Sequence, residues 1–433
     1  MLKYGFAHAD ITPSLDDKPH GSYRPQVMTG VHDPLRAAAC VVDDGHRPLA
    51  LVGIDAGVIM RDTFVRAAEL IAQRTPLNAS NLIVSASHTH RGGSSLSTFA
   101  AVADPDYAIL VADRIADAVT QAWNNRAAGQ CASASAEVTG IHFNRRFHMR
   151  DGRQVTHPGK LHPDIVAPAG PVDPKVSALV FRNAAGAITG VVVNFGCHCT
   201  VTEEDPVYSA DYVHYLREHL KRSLGPIEVV FLLGACGDVT QIDNLAPEWE
   251  KGHAHADKMG AVLARAISQI LPTLTWSPTA ACGVANQKLR LPIRPHDASP
   301  PPTLGLGSGD FWETTFANER ELMAQRRAAT PTVDCHITAV RVGDLAIVAN
   351  GAELFAQPAL DIQRASPFAQ TWTVTLANEY LGYVPTATAH FAGGYEPRIA
   401  RSSFLAIETA QQLTEASIRA LHSSARAAAQ RAK

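Results

Sequence analysis

The sequence predicts an α/β fold, a mixed β-sheet core with flanking helices, and three observations carry that prediction. Six short runs are nearly continuous in apolar and β-branched residues, the pattern of strands buried on both faces. Five longer stretches carry helical patterns. The two kinds of segment alternate along the chain, which marks an α/β architecture with a largely parallel or mixed sheet.

In chain order, a strand at 49–54 precedes a helix at 61–73, and a strand at 82–85 precedes a helix at 106–124. The run at 191–195 leads to a helix at 210–223, which Ser209 and Asp211 open in the manner of an N-cap. The run at 229–233 leads to a helix at 255–270. Strands at 345–348 and 372–376 precede a long C-terminal helix at 408–430. Two regions break the alternation. Residues 144–174 are rich in Arg, His, Pro, Gly and Asp, and 295–309 are rich in Pro, Gly and Ser. Both read as long loops, which inside compact domains are functional or disordered. The Ala- and Arg-rich tail from 425 to 433 is expected to fray.

The 433 residues are read as one catalytic domain spanning 1–433 with these two loops. Hydrophobic residues at 46% and charged residues at 18% are ordinary for a globular protein. A net charge of −3 gives no general attraction to nucleic acid or to acidic membranes. No apolar run is long enough to span a bilayer. The first residues lack the apolar stretch of a secretory signal, and seven cysteines is an odd number. Reduced thiols and a cytoplasmic location are therefore expected. The partner to expect is a small-molecule substrate, with a homo-oligomer left open.

The chemistry is expected at the strand ends, because ligands of open α/β sheets bind outside the carboxyl ends of the strands. Each apolar run ends in a polar or metal-capable group. These groups are Asp55, then His88 and His90, then His198, then Asp238, then Glu353, and finally Asn378, Glu379 and Tyr383. In extended backbone the i and i+2 side chains point the same way. His88 and His90 can therefore face one metal together, or one can ligate while the other handles protons. No Asp follows as in the metallo-β-lactamase pattern; Arg91-Gly92-Gly93-Ser94 stands there instead. Cys197-His198-Cys199 is too closely spaced for a structural zinc-thiolate site. It reads as one histidine ligand flanked by two small buried thiols.

Ordered motifs then accumulate: Asp10-Ile11-Thr12-Pro13, Ser87-His88-Thr89-His90 with Gly92-Gly93, Asn144-Arg145, and Asn194-Phe195 with His198-Cys199-Thr200. They continue with Gly237-Asp238-Val239, Gly351-Ala352-Glu353-Leu354-Phe355 and Asn378-Glu379-Tyr380-Leu381-Gly382-Tyr383. In order and spacing the chain resembles the catalytic domain of the neutral/alkaline ceramidase family. The resemblance implies one Zn²⁺ held by His88, His198, Glu353 and Tyr383, and does not favour Glu379 as the carboxylate ligand. It implies a serine, needed for activity, after Gly-Asp-Val; Thr240 stands there, followed by Gln241 in place of Pro. It also implies a secreted enzyme with a C-terminal β-sandwich, neither of which the sequence suggests.

The expectation is therefore a zinc hydrolase that cleaves an amide in a small polar or anionic substrate, not ceramide. A zinc esterase or lactonase is the alternative, as is a catalytically weak homologue that binds metal and ligand. His90 is the candidate acid/base, Arg145 the candidate partner of a substrate oxygen, and Thr240 the third candidate catalytic residue, in the place of the serine. Asp238 and Asp211 are expected to orient other groups, Asp55 to hold loop backbone, and Asp10 to fix the first turn.

Overall fold

The computed structural model describes residues 1–16, 18–21, 25–298 and 305–429. Part of the loop expected at 295–309, and the tail beyond 429, lie outside the described residues.

Among the described residues the strands form two main sheets, not one. The larger contains β1 (Lys3–Asp10), β2 (Arg36–Asp43), β3 (Leu49–Ile54), β4 (Leu82–Ala86), β5 (Ala127–Glu137), β6 (Lys175–Asn183), β7 (Ile188–Phe195) and β8 (Glu228–Leu233). Their order is β8-β7-β6-β5-β1-β2-β3-β4. Only the outer pairs, β7 with β8 and β3 with β4, run parallel. The smaller sheet is β9 (Cys282–Pro292), β10 (Thr332–Val342), β11 (Leu345–Ala349) and β12 (Gln370–Val374) in sequential order, with β11 and β12 parallel.

The helices are α1 (Arg61–Arg74), α2 (Pro105–Asn124), α3 (Tyr212–Leu224), α4 (His253–Ile270), α5 (Asp310–Ala329), α6 (Ala356–Arg364), α7 (Ala387–Ala392) and α8 (Thr409–Ala429). They complete four layers: helices, sheet, sheet, helices. Side chains alternate across a strand, so each strand serves two interfaces. Val191, Val193 and Phe195 pack with Leu216, Leu220, Met259 and Leu263 of α3 and α4. Val192, between them, turns the other way and joins Phe6, Phe181 and Val230 against Ile347, Trp372 and Val374 of the small sheet. The opposite face of that sheet is closed by Ile362, Leu413 and Leu421 of α6 and α8. Burial on both faces is why these runs are apolar throughout, as read from the sequence.

The expected strands and helices lie where read, to within two residues at most ends. The strand expected at 372–376 instead closes at Val374, after which Leu376 donates its N–H to Ala352. The sequence reading missed β1, β2, β5, β6, β9, β10, α5, α6 and α7. β5 shows the reason: Ala-Ala-Gly-Gln-Cys-Ala-Ser-Ala-Ser-Ala-Glu has neither β-branched residues nor a long apolar run. Its place is decided by partners on both sides, β6 and β1. Residues 144–174 are not one loop. Arg146–Met149, Gln154–Thr156 and Ile165–Pro168 pair into a small three-stranded sheet.

Asp10 accepts the Thr12 N–H at 2.7 Å and fixes the first turn, as expected. Asp55, fully buried, does more than hold loop backbone. It accepts from the Arg36 N–H and takes both Arg217 amino groups, at 2.6 and 2.9 Å. Removing one partner of a buried pair strands the other charge. Asp55→Ala is therefore expected to lower stability by about 3–5 kcal/mol, read as the midpoint of urea unfolding. An unchanged midpoint would refute this. Among the described residues no helix is long and apolar enough to cross a membrane.

Candidate metal centre

His88, His198 and Glu353 converge from three separate segments into one buried cluster, and their ligand atoms all lie within 4.8 Å of one another. His88 follows β4 with a left-handed backbone (φ +65°), its N–H bonded to the Ala56 carbonyl. The reading of His88-Thr89-His90 as extended backbone is therefore corrected. A positive φ is costly for a non-glycine residue and persists where the surroundings enforce it. His198 lies past the end of β7, its N–H on the Val239 carbonyl. Glu353 sits in the short strand Ala352–Leu354, which runs parallel to Gly382–Val384. In that pair Glu353 and Tyr383 stand directly opposite, so their side chains share a face.

The hydrogen bonds determine which atoms face the centre. His88 Nδ1 lies 2.7 Å from the Gly57 carbonyl, and His198 Nδ1 lies 3.1 Å from the Val239 carbonyl. A carbonyl accepts only, so each Nδ1 carries a proton and each Nε2 is the atom turned to the cluster. Burial, then the Arg145 charge, push His198 down to about 3, so it is neutral. Glu353 Oε1 accepts the Tyr380 hydroxyl at 2.8 Å. Its Oε2 is buried without a hydrogen-bond partner, 3.3 Å from His88 Nε2 and 3.6 Å from His198 Nε2. Two imidazole nitrogens and a carboxylate oxygen thus converge on one point from three segments. Two imidazoles and a carboxylate suit Zn²⁺.

Tyr383 borders this cluster. Its hydroxyl is 3.4 Å from His198 Nε2 and accepts from Arg145 Nη2 at 3.2 Å. Burial and the Glu353 charge push the phenol well up, Arg145 opposing, so in the metal-free protein it is protonated. Arg145 is itself buried, donating from Nε to Glu396 and from Nη2 to the Gly237 carbonyl. The ring of His90 stands perpendicular to His88 at 5.1 Å, with Nδ1 3.3 Å from Glu203 Oε2. Burial lowers the His90 pKa, and Glu203 opposes the shift. Thr240, in the pair of Val239–Thr240 with Phe143–Asn144, donates its hydroxyl to Gln241 Oε1 at 2.8 Å.

Other expected residues serve as supports. Asp238 accepts from Asn144 Nδ2 and from the Ala356 N–H, joining three motifs; burial pushes it up to about 6. Asp211 caps α3 and accepts both the N–H and the hydroxyl of Thr202. Asn378 bonds β4 backbone at Val84 and Leu82. Glu379 is turned away from the cluster and holds His336 through its N–H and Nδ1. Cys197 and Cys199 are buried free thiols.

The cluster opens into a cavity of about 330 Å³. His90, Arg145, Thr240 and Tyr383 line it beside His88 and Glu353. An aromatic and aliphatic wall comes from Leu96, Phe99, Leu306 and Tyr395. Of the basic residues expected over the cleft, Arg145, His157 and Lys160 line it. Arg146 is buried behind, while Arg150 and Arg153 are exposed. The sequence reading missed Glu203, Lys251, Tyr380 and Glu396. Glu203 lies in the acidic run Thr202-Glu203-Glu204-Asp205 just after the His198 motif, a signal it could have used.

Fold and site together define a ceramidase-like α/β architecture around a buried cluster that could bind a metal. In particular, the chain is homologous to the neutral ceramidase of Pseudomonas aeruginosa, at 24% identity over 266 residues. That match spans 57% of this chain and 38% of the relative. A solved structure of a ceramidase complexed with C2 superposes with a TM-score of 0.77 at 19% identity, over 97% of this chain and 74% of that one. A crystal structure of the Pseudomonas aeruginosa neutral ceramidase superposes with a TM-score of 0.74 at 18% identity, with the same coverage. No protein-family model matches the chain.

Proposed function

We propose that the protein is a zinc-dependent amidohydrolase acting on a small polar substrate other than ceramide. The observation that carries this reading is the buried Glu353 Oε2 facing the Nε2 atoms of two imidazoles. His88, His198 and Glu353 would hold the ion, with the Tyr383 hydroxyl beside them. Zinc bound there would supply Lewis acidity and a water whose pKa falls towards ~7.

The chain's own groups do the rest. Glu203 orients His90 through Nδ1, so Nε2 is the atom at which His90 would take a proton and return it to the leaving group. Arg145 and Tyr383, paired at 3.2 Å, line the cavity where a carbonyl oxygen gains charge. The cavity volume is at the low end for ligand sites, which supports a small substrate. Lys160 is paired with Glu250, and Lys251 with Glu203 and Glu204. Arg145 and Arg146 share the single carboxylate of Glu396, while Lys251 alone faces two carboxylates, so the charges of these groups balance. The walls therefore favour a substrate without net charge, to which Leu96, Phe99, Leu306 and Tyr395 offer an apolar face.

Metal analysis of the purified protein, with a panel of small amides, esters and lactones, tests the reading. One zinc per chain with amide hydrolysis is expected. Absence of zinc overturns it, and turnover confined to esters or lactones replaces amidase with esterase. The Thr240 hydroxyl is spent on Gln241 and is not poised as a nucleophile. Thr240→Ala is accordingly expected to retain kcat within about fivefold, since a net intramolecular hydrogen bond is worth about 1 kcal/mol. A loss of more than about a hundredfold, the scale of general acid–base catalysis, would restore Thr240 to the chemistry.

A further inference from the structure

The deepest charge of the site region belongs to Glu396, in the segment Gly393-Gly394-Tyr395-Glu396 that follows α7. It is fully buried. Oε1 accepts from Arg145 Nε at 2.9 Å, while Oε2 accepts from Arg146 Nη1 at 2.5 Å and from the Thr156 hydroxyl at 2.8 Å. Arg146 is tied further to Gln154 Oε1 and the Gly393 carbonyl, at 2.8 and 2.6 Å. It touches neither the cavity nor the His88–His198–Glu353 cluster. Gly394 is required here: with φ +104°, a Cβ would lie 2.3 Å from Arg146 Nη1. Only a glycine lets this backbone close over the guanidinium.

Burying two cations on one anion is costly, and a well-packed apolar set would often be no less stable. The arrangement has a geometric product instead. With Nε on Glu396 and Nη2 on the Gly237 carbonyl, the Arg145 plane is fixed from two sides, and Nη2 meets the Tyr383 hydroxyl. Arg146 braces the opposite oxygen of the same carboxylate.

We propose that Glu396, braced by Arg146, is a positioning residue that aims Arg145 at the Tyr383 hydroxyl and so at the substrate oxygen. The proposal rests on the hydrolase reading above for its kinetic arm only. A displacement of about 1 Å at a reacting centre can cost 10²-fold in rate. Glu396→Gln, nearly equal in shape but without charge, should lower kcat roughly 10- to 100-fold on whichever amide of the panel the wild type cleaves. Zinc content should stay at one per chain. Arg145→Met should lower kcat as well, and the double variant should lose little more than the worse single one. Glu396→Asp, which keeps the charge and the fold but withdraws it by one methylene, should fall between, with KM changed less than kcat. Additive losses in the double variant, or a Glu396→Asp enzyme with wild-type kcat, would overturn the proposal.

The second arm needs no turnover. In a crystal structure of metal-free Glu396→Gln, or of Glu396→Asp if the first does not fold, Arg145 Nη2 should leave its contact with Tyr383. If that contact persists at 3.2 Å, Glu396 does not position it and the proposal fails. A wild type inert towards every substrate would sink the hydrolase reading while leaving this arm to decide the geometry.

Discussion

His88→Ala should abolish stoichiometric zinc binding and lower hydrolysis about a thousandfold or more, the several kcal/mol that a metal contributes to a transition state. The expectation follows from the cluster's geometry. His88 Nε2 and His198 Nε2 both face Glu353 Oε2, so removing one imidazole leaves two of the cluster's three donors, with the Tyr383 hydroxyl beside them, and breaks the three-ligand set of a catalytic Zn²⁺ site. Two measurements separate metal loss from misfolding. Zinc added at about a thousand times its dissociation constant should stabilise the wild type by about 4 kcal/mol, and should not stabilise His88→Ala. The metal-free forms should unfold at similar urea concentrations, because among the described residues the His88 side chain bonds only the Gly57 carbonyl outside the cluster. A variant that still holds one zinc per chain would remove His88 from the ligand set.

Tyr383→Phe should cost about 10²–10³ in kcat, the usual loss when one donor to a developing oxyanion is removed. The ring is kept and so is its packing with Tyr395, so stability should change little. The zinc titration decides between two roles for the hydroxyl. If zinc affinity falls together with kcat, the phenol is a ligand. If affinity holds while kcat falls, the hydroxyl acts with Arg145 on the substrate. Wild-type kcat would exclude both. The geometry allows either role, since the hydroxyl lies 3.4 Å from His198 Nε2 and 3.2 Å from Arg145 Nη2.

Much of the site was legible because its residues follow apolar strand runs, where side chains must emerge at the sheet's end. His88, His198 and Glu353 all stand just past or beside such runs and do meet. Asp55, Asp238, Asn378 and Glu379 have similar positions, yet each is committed to an arginine, backbone groups, an amide or His336. Position in sequence does not distinguish a polar group that faces the cavity from one that ties two segments together. The basic segment 144–174 shows the same limit. Its charges suggested an anionic substrate, but Lys160 pairs with Glu250, some ninety residues away, and Arg146 with Glu396 beyond α7. No local pattern signals that a cation has already met its anion.

Local pattern was enough for the apolar strands of the α/β core and for most of its helices, because burial on both faces demands unbroken apolar runs. It also sufficed for the order of the motifs that carry the ceramidase-like resemblance. Only the tertiary structure divided the strands into two sheets packed face to face, for Ala- and Ser-rich strands such as β5 owe their place to neighbours and not to propensity. It alone turned His88 through a left-handed backbone and brought Tyr383 opposite Glu353. It also set Glu396 beneath Arg145, a contact between residues 251 positions apart. Such meetings depend on how distant segments pack, and hydrogen-bond partners are chosen by distance in space.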